Sequence, residues 1–159
     1  MSPRSSSLLT LSLLALCACG PSQPAVDGLD TSRDGIARFL REDSWRSWTG
    51  DAQPRAPLRN SPHGFVRVFF NPKLEASLRT NALTHPVGSI AVKESYASDG
   101  VTVAAQLLEV KVAEGAAKDT WLYFEATPPD YRQPYYGRGI QVCTGCHVDG
   151  RDFVISPLP

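Results

Sequence analysis

The sequence predicts a mainly β domain of the α+β class, an antiparallel sheet with short peripheral helices and a last helix near the C-terminus. Three observations predict it. Four stretches between residues 64 and 127 are rich in β-branched and aromatic side chains. The links between them are short and carry turn pairs such as Asn71-Pro72, Asp99-Gly100 and Glu114-Gly115, which suits neighbouring antiparallel strands. Helical spacing of apolar residues appears only in brief segments around and between these stretches.

Taken in order, residues 1–18 read as an export signal. Arg4 precedes Leu8, Leu9, Leu11, Leu13, Leu14 and Leu16, an apolar run too short to span a bilayer. It ends in Leu16-Cys17-Ala18-Cys19-Gly20, which resembles a bacterial lipobox. Cys19 is the expected lipidated residue, because Cys17 follows the bulky Leu16. Residues 19–30 then read as a linker, opening on Gly20-Pro21-Ser22-Gln23-Pro24. The expected location is the bacterial periplasm, with contact to the outer membrane only through that N-terminal lipid anchor.

Residues 31–159 are expected to form a single domain, since 159 residues suffice for one core and not for two. Asp30, Thr31 and Ser32 offer helix caps ahead of Ile36, Phe39 and Leu40, with Trp45 and Trp48 packing just beyond. Pro54, Pro57 and Pro62 interrupt regular structure. A strand over 65–70 stops at Asn71-Pro72, and 73–80 suits a short helix carrying Leu74 and Leu78. Strands over 88–96, 101–112 and 120–127 follow. Tyr131, Tyr135 and Tyr136 lie in a segment rich in proline and glycine, and a helix over 139–147 closes the pattern.

Composition removes several classes of function. Sixteen Lys and Arg balance sixteen Asp and Glu, and no basic stripe offers a surface for nucleic acid. Of four cysteines, two belong to the export region, so the remaining pair makes no disulfide framework.

That pair forms Cys143-Thr144-Gly145-Cys146-His147, the spacing of c-type haem attachment. Two thiols add across the haem vinyl groups and the adjacent histidine becomes the axial ligand of the iron. A zinc site lacks a second ligand pair, because the only other histidines are His63 and His85. A thioredoxin-like redox pair belongs at a strand-to-helix junction in a βαβ pattern, which is absent here. A local disulfide would leave His147 unexplained. The expected cofactor is therefore one covalent haem c.

The sixth iron position is open to several readings. The only methionine is Met1, so methionine ligation is excluded by composition. Either His63 or His85 completes the iron, giving an electron-transfer cytochrome that needs a redox partner protein, or the site stays open. Both histidines sit in turn-like contexts that favour solvent-facing or structural roles. An open site suits binding or chemistry on a small molecule. Alternation over 88–96 puts Ile90 and Val92 on one face and Ser89, Ala91, Lys93 and Ser95 on the other. Small residues beside Lys93 would let a flat group approach, although periodicity alone reads Lys93 as a solvated, acid-paired lysine.

The order of features over roughly residues 45–155 resembles the cytochrome P-four-sixty family and its relatives, the β-type cytochromes c-prime. The residues carrying the resemblance are His63-Gly64-Phe65-Val66-Arg67-Val68-Phe69-Phe70-Asn71, Pro86-Val87-Gly88-Ser89-Ile90-Ala91-Val92-Lys93-Glu94, Lys111, Trp121, the haem motif, and Asp152-Phe153-Val154. The resemblance implies an antiparallel β protein, commonly a homodimer, with five-coordinate haem on His147. In one branch a strand lysine, matched here by Lys93, is cross-linked to the haem and the enzyme oxidises hydroxylamine. In the other, phenylalanines cap an apolar distal side and the protein binds nitric oxide or carbon monoxide.

Two positions depart from the enzymatic branch. The arginine of its first strand is Val66 here, with Arg67 on the opposite strand face, and Tyr135-Tyr136-Gly137-Arg138-Gly139 supplies no carboxylate before the haem motif. Phe65 and Phe69 share a strand face and are expected to cap the haem. The expectation is thus a mono-haem protein binding nitric oxide or a similar diatomic, with a hydroxylamine or nitric oxide oxidoreductase using Lys93 as the alternative.

Overall fold

The computed structural model describes residues 25–56, 58, 61–132 and 135–159. The expected export signal, Cys19 and the start of the linker lie outside the described residues. Val26 and Leu29 pair with each other and are buried in the core, so the packed domain has begun by residue 26.

Helix α1 (Arg33–Arg41) starts at Ser32, whose Oγ accepts from the Gly35 N–H at 3.1 Å. Its buried stripe, Ile36, Ala37 and Leu40, faces the sheet, and Trp45 packs just beyond, fully buried. The sheet is a six-stranded antiparallel meander in chain order: β1 (Thr49–Gly50), β2 (Phe65–Phe70), β3 (Ile90–Tyr96), β4 (Val103–Lys111), β5 (Trp121–Ala126) and β6 (Tyr135–Arg138). Helix α2 (Pro72–Arg79) links β2 to β3, and α3 (Gln141–His147) follows β6. Among the described residues no helix is long and apolar enough to cross a membrane.

Asn71 shows how local chemistry sets the meander. Its Oδ1 accepts from the Leu74 N–H at 2.9 Å, capping α2, and from the Ile90 N–H at 3.0 Å, while its Nδ2 donates to the Gly88 carbonyl at 2.8 Å. One side chain thereby ends β2, starts α2 and receives β3.

The sheet has two very different faces. One carries Phe69, Ile90, Val92, Leu108, Val110, Leu122 and Phe124, packed under α1 and Trp45. The other carries Val66, Val68, Phe70, Ala91, Trp121 and Tyr123, covered only in part by α2, α3 and the C-terminal segment. Two strands escaped the sequence reading. β1 has two residues, and β6 crosses the tyrosine segment, where Tyr135–Arg138 pair with β5.

Candidate functional site

Register builds the site on the second face. Across the strands one row reads Val68, Lys93, Leu107, Glu125 and Tyr135, and the next reads Phe70, Ala91, Glu109, Tyr123 and Gly137. Since alternate residues share a face, Lys93, Glu109, Glu125 and Tyr123 all project toward α3. A cavity of about 720 Å³ lies between them, lined by these four side chains together with His63, Cys143, Cys146 and His147. That is within the roughly 300–1,000 Å³ of small-molecule and cofactor sites.

Helix α3 is aimed by the residues around it. Gly139, at φ +57°, passes so close to the Asp119 backbone that a Cβ would lie 3.0 Å from it, so only glycine suits this turn. Its N–H donates to the Trp121 carbonyl at 2.9 Å, fixing the helix start to β5. After the helix comes a tight turn in which Asp152 and Phe153 both have left-handed backbones, at φ +44° and +68°. Asp152 holds it, accepting from Lys111 Nζ at 2.7 and 2.8 Å and from the His85 N–H at 2.8 Å. The Lys111 and Asp152 side chains are fully buried together.

The turn delivers the Phe153 carbonyl to His147, which donates from Nδ1 at 2.8 Å. A carbonyl can only accept, so Nδ1 carries a hydrogen in this bond, and in the neutral ring Nε2 keeps its lone pair. Glu109 Oε2 lies 2.9 Å from the same Nδ1, and the Tyr123 ring stands edge-on to the imidazole with centroids 5.4 Å apart. Burial lowers the imidazole's proton affinity, and Glu109 more than offsets it, leaving the pKa raised.

Burial pushes the Cys143 thiol up to about 12, with Glu125 and Glu109 adding to it. A redox-active pair would need the opposite shift, toward thiolate. Burial lowers Lys93, against the pull of Glu109 and Glu125, and burial raises Glu125, against Lys93. His63 is brought down to about 4, by burial first and then by Lys93 and His147. Its Nδ1 is 3.9 Å from Glu125 Oε1. Burial and then Glu109 push the Tyr123 phenol up, so it stays a donor.

The structure brings Lys93, Cys143, Cys146 and His147 together and corrects other expectations. Phe69 is buried on the opposite face, with its ring centroid 5.0 Å from that of Trp45. Phe65 shares that side and is exposed, so neither phenylalanine lines the cavity. His85 is buried with its Nδ1 2.8 Å from Ser77 Oγ on α2, away from the cavity lining, which leaves His63 as the histidine able to face a ligand there. Nor is a carboxylate missing. Glu109 and Glu125 supply two from β4 and β5, each half-buried between buried neighbours. Arg55, in the proline-rich connection, shares with Lys93 a recess of about 20 Å³, and its buried Nη2 has no hydrogen-bond partner among the described residues. A recess of that size holds about one water.

Donor chemistry tests what could bind. Among the described residues no three His, Cys, Asp or Glu side chains gather to hold a metal ion. A macrocycle that brings four nitrogen donors of its own needs only one protein ligand, and His147 offers an imidazole of fixed tautomer. Two free thiols on the same helix line the same cavity, so the residues present fit a covalently held haem. No family model matches the chain, and no curated protein matches it.

Proposed function

We propose that this chain is a mono-haem c-type cytochrome that takes nitric oxide or a similar small nitrogen-oxide species at an open iron position. Cys143 and Cys146 would tether the macrocycle and His147 would ligate it. The observation that carries the reading is the hydrogen bond from His147 Nδ1 to the Phe153 carbonyl, which leaves Nε2 of the neutral ring free to ligate beside two free thiols. The haem supplies an iron able to bind diatomics and change oxidation state. With Cys19 lipidated, the domain would work at a periplasmic membrane surface.

A specific observation favours the oxidoreductase as second reading. The cavity wall carries titratable side chains among its apolar ones, and burial lowers Lys93 while raising Glu125. A lysine shifted toward the neutral amine is more readily nucleophilic, the property a covalent cross-link draws on. A carboxylate with raised proton affinity can accept the protons that hydroxylamine must lose on oxidation. Both groups face the space that contains His147.

Optical spectroscopy on protein matured with haem-ligation machinery separates the readings. A five-coordinate spectrum that shifts on adding nitric oxide is expected. A third covalent link, lost in Lys93→Ala, marks the oxidoreductase. A low-spin spectrum converted to high-spin by His63→Ala marks an electron relay and contradicts the open site.

A further inference from the structure

Glu109 is the least settled buried charge near α3. Its side chain is 11 % exposed, and Oε2 has no hydrogen-bond partner among the described residues although it lies 2.9 Å from His147 Nδ1. The distance suffices, but the Nδ1–H points to the Phe153 carbonyl, 2.8 Å away. A buried carboxylate oxygen without a donor is costly. Because Nδ1 carries the only hydrogen that either acceptor can draw on from this ring, the two oxygens compete for one proton.

From this we infer that Glu109 is a positioning residue for the axial ligand, sharing the His147 Nδ1–H with the Phe153 carbonyl. The inference rests on the haem reading above and concerns how electron-rich the ligand is. A carbonyl acceptor fixes the tautomer. A carboxylate acceptor also draws the hydrogen away from the ring, making Nε2 a stronger donor and favouring ferric over ferrous iron. Strand register makes the arrangement stiff. Glu109 is paired with Ala91 on one side and Tyr123 on the other, and the Tyr123 ring closes against the imidazole. On the far side, the turn carrying the Phe153 carbonyl is clamped through Asp152 to Lys111, two residues along the strand from Glu109. A single strand thus controls both acceptors.

The test uses the mature holoprotein, with covalent haem measured by mass on every sample. In Glu109→Gln the midpoint potential is expected to rise by about a tenfold change in the reduction equilibrium, 59 mV for one electron. The ferrous iron–histidine stretching frequency is expected to fall, and Glu109→Asp to recover part of both. A Glu109→Gln protein with full haem and unchanged potential and frequency overturns the inference while leaving the haem reading intact. A wild type without haem overturns both. Should the variants fail to mature, the wild-type frequency decides. A value in the range of carboxylate-bonded histidines supports the inference, and one in the range of carbonyl-bonded histidines overturns it.

Discussion

The two faces of the sheet treat buried polarity in opposite ways. Under α1, the fully buried carboxylate of Glu94 accepts from Arg46 at 2.5 Å and from the Tyr96 hydroxyl at 2.6 Å. Gln106 and Tyr131 extend the network, and aliphatic and aromatic side chains fill the rest of that side. On the cavity side Glu109 Oε2, Tyr123 Oη, Trp121 Nε1 and Arg55 Nη2 are all buried without a hydrogen-bond partner among the described residues. Buried polar groups are ordinarily satisfied, so unsatisfied ones gathered on one face mark where stability has yielded to function. The covered face holds the fold and the other face carries the candidate site.

Mutations should separate the faces, and the largest effects belong to the covered one. Trp45→Ala is expected to lower stability by about 3–5 kcal/mol in chemical denaturation, since it empties a fully buried aromatic site. Ligand-binding spectra of the surviving folded protein should be unchanged, and Phe69→Ala should behave alike. A changed spectrum with intact stability would place Phe69 at the site after all.

Lys111→Met sharpens the comparison, because Lys111 and Asp152 form a fully buried ion pair on the cavity side. It strands Asp152 in the interior, an expected loss of about 3–5 kcal/mol. It also loosens the turn that presents the Phe153 carbonyl, so the iron–histidine stretch should broaden in the same protein. Stability within 0–1 kcal/mol of wild type, as surface ion pairs typically show, would break the clamp argument.

Smaller effects, of the other sign, are expected from the cavity wall. Glu125→Gln and Lys93→Met each remove a charge that burial disfavours, and should leave stability unchanged or raise it by about 1 kcal/mol while altering ligand or substrate handling. A loss of several kcal/mol in either would make the wall structural.

A pH dependence is expected from His63. Its folded pKa, about 4, lies below the 6.5 of an unperturbed histidine, so between these values the unfolded chain binds the extra proton. Stability is therefore fully present above about pH 6.5 and falls as pH drops toward 4. His63→Ala should flatten that slope in denaturation curves taken across the window.

Much of the covered face was legible in the sequence, because periodicity reports which residues share a side. The strand at 65–70 matches β2 at both ends, and Asn71-Pro72 marks the start of α2 as capping chemistry requires. Periodicity is silent on which side faces which layer, and Phe65 and Phe69 show it. They share a face, as read, but it is the face under α1. The convergence of Lys93, Glu109 and Glu125 was hidden for another reason. It arises from pairing Lys93 with Leu107 and Leu107 with Glu125, a register set by long-range contacts no local pattern records. β6 escaped because its proline- and glycine-rich surroundings signal a loop, while its pairing with β5 uses backbone groups that composition does not reveal.

One mass measurement tests the central claim most directly. Wild-type protein matured with haem-ligation machinery should gain the mass of one haem that survives denaturation, and Cys143→Ala/Cys146→Ala should gain none. A folded, colourless wild type with both thiols free would contradict it.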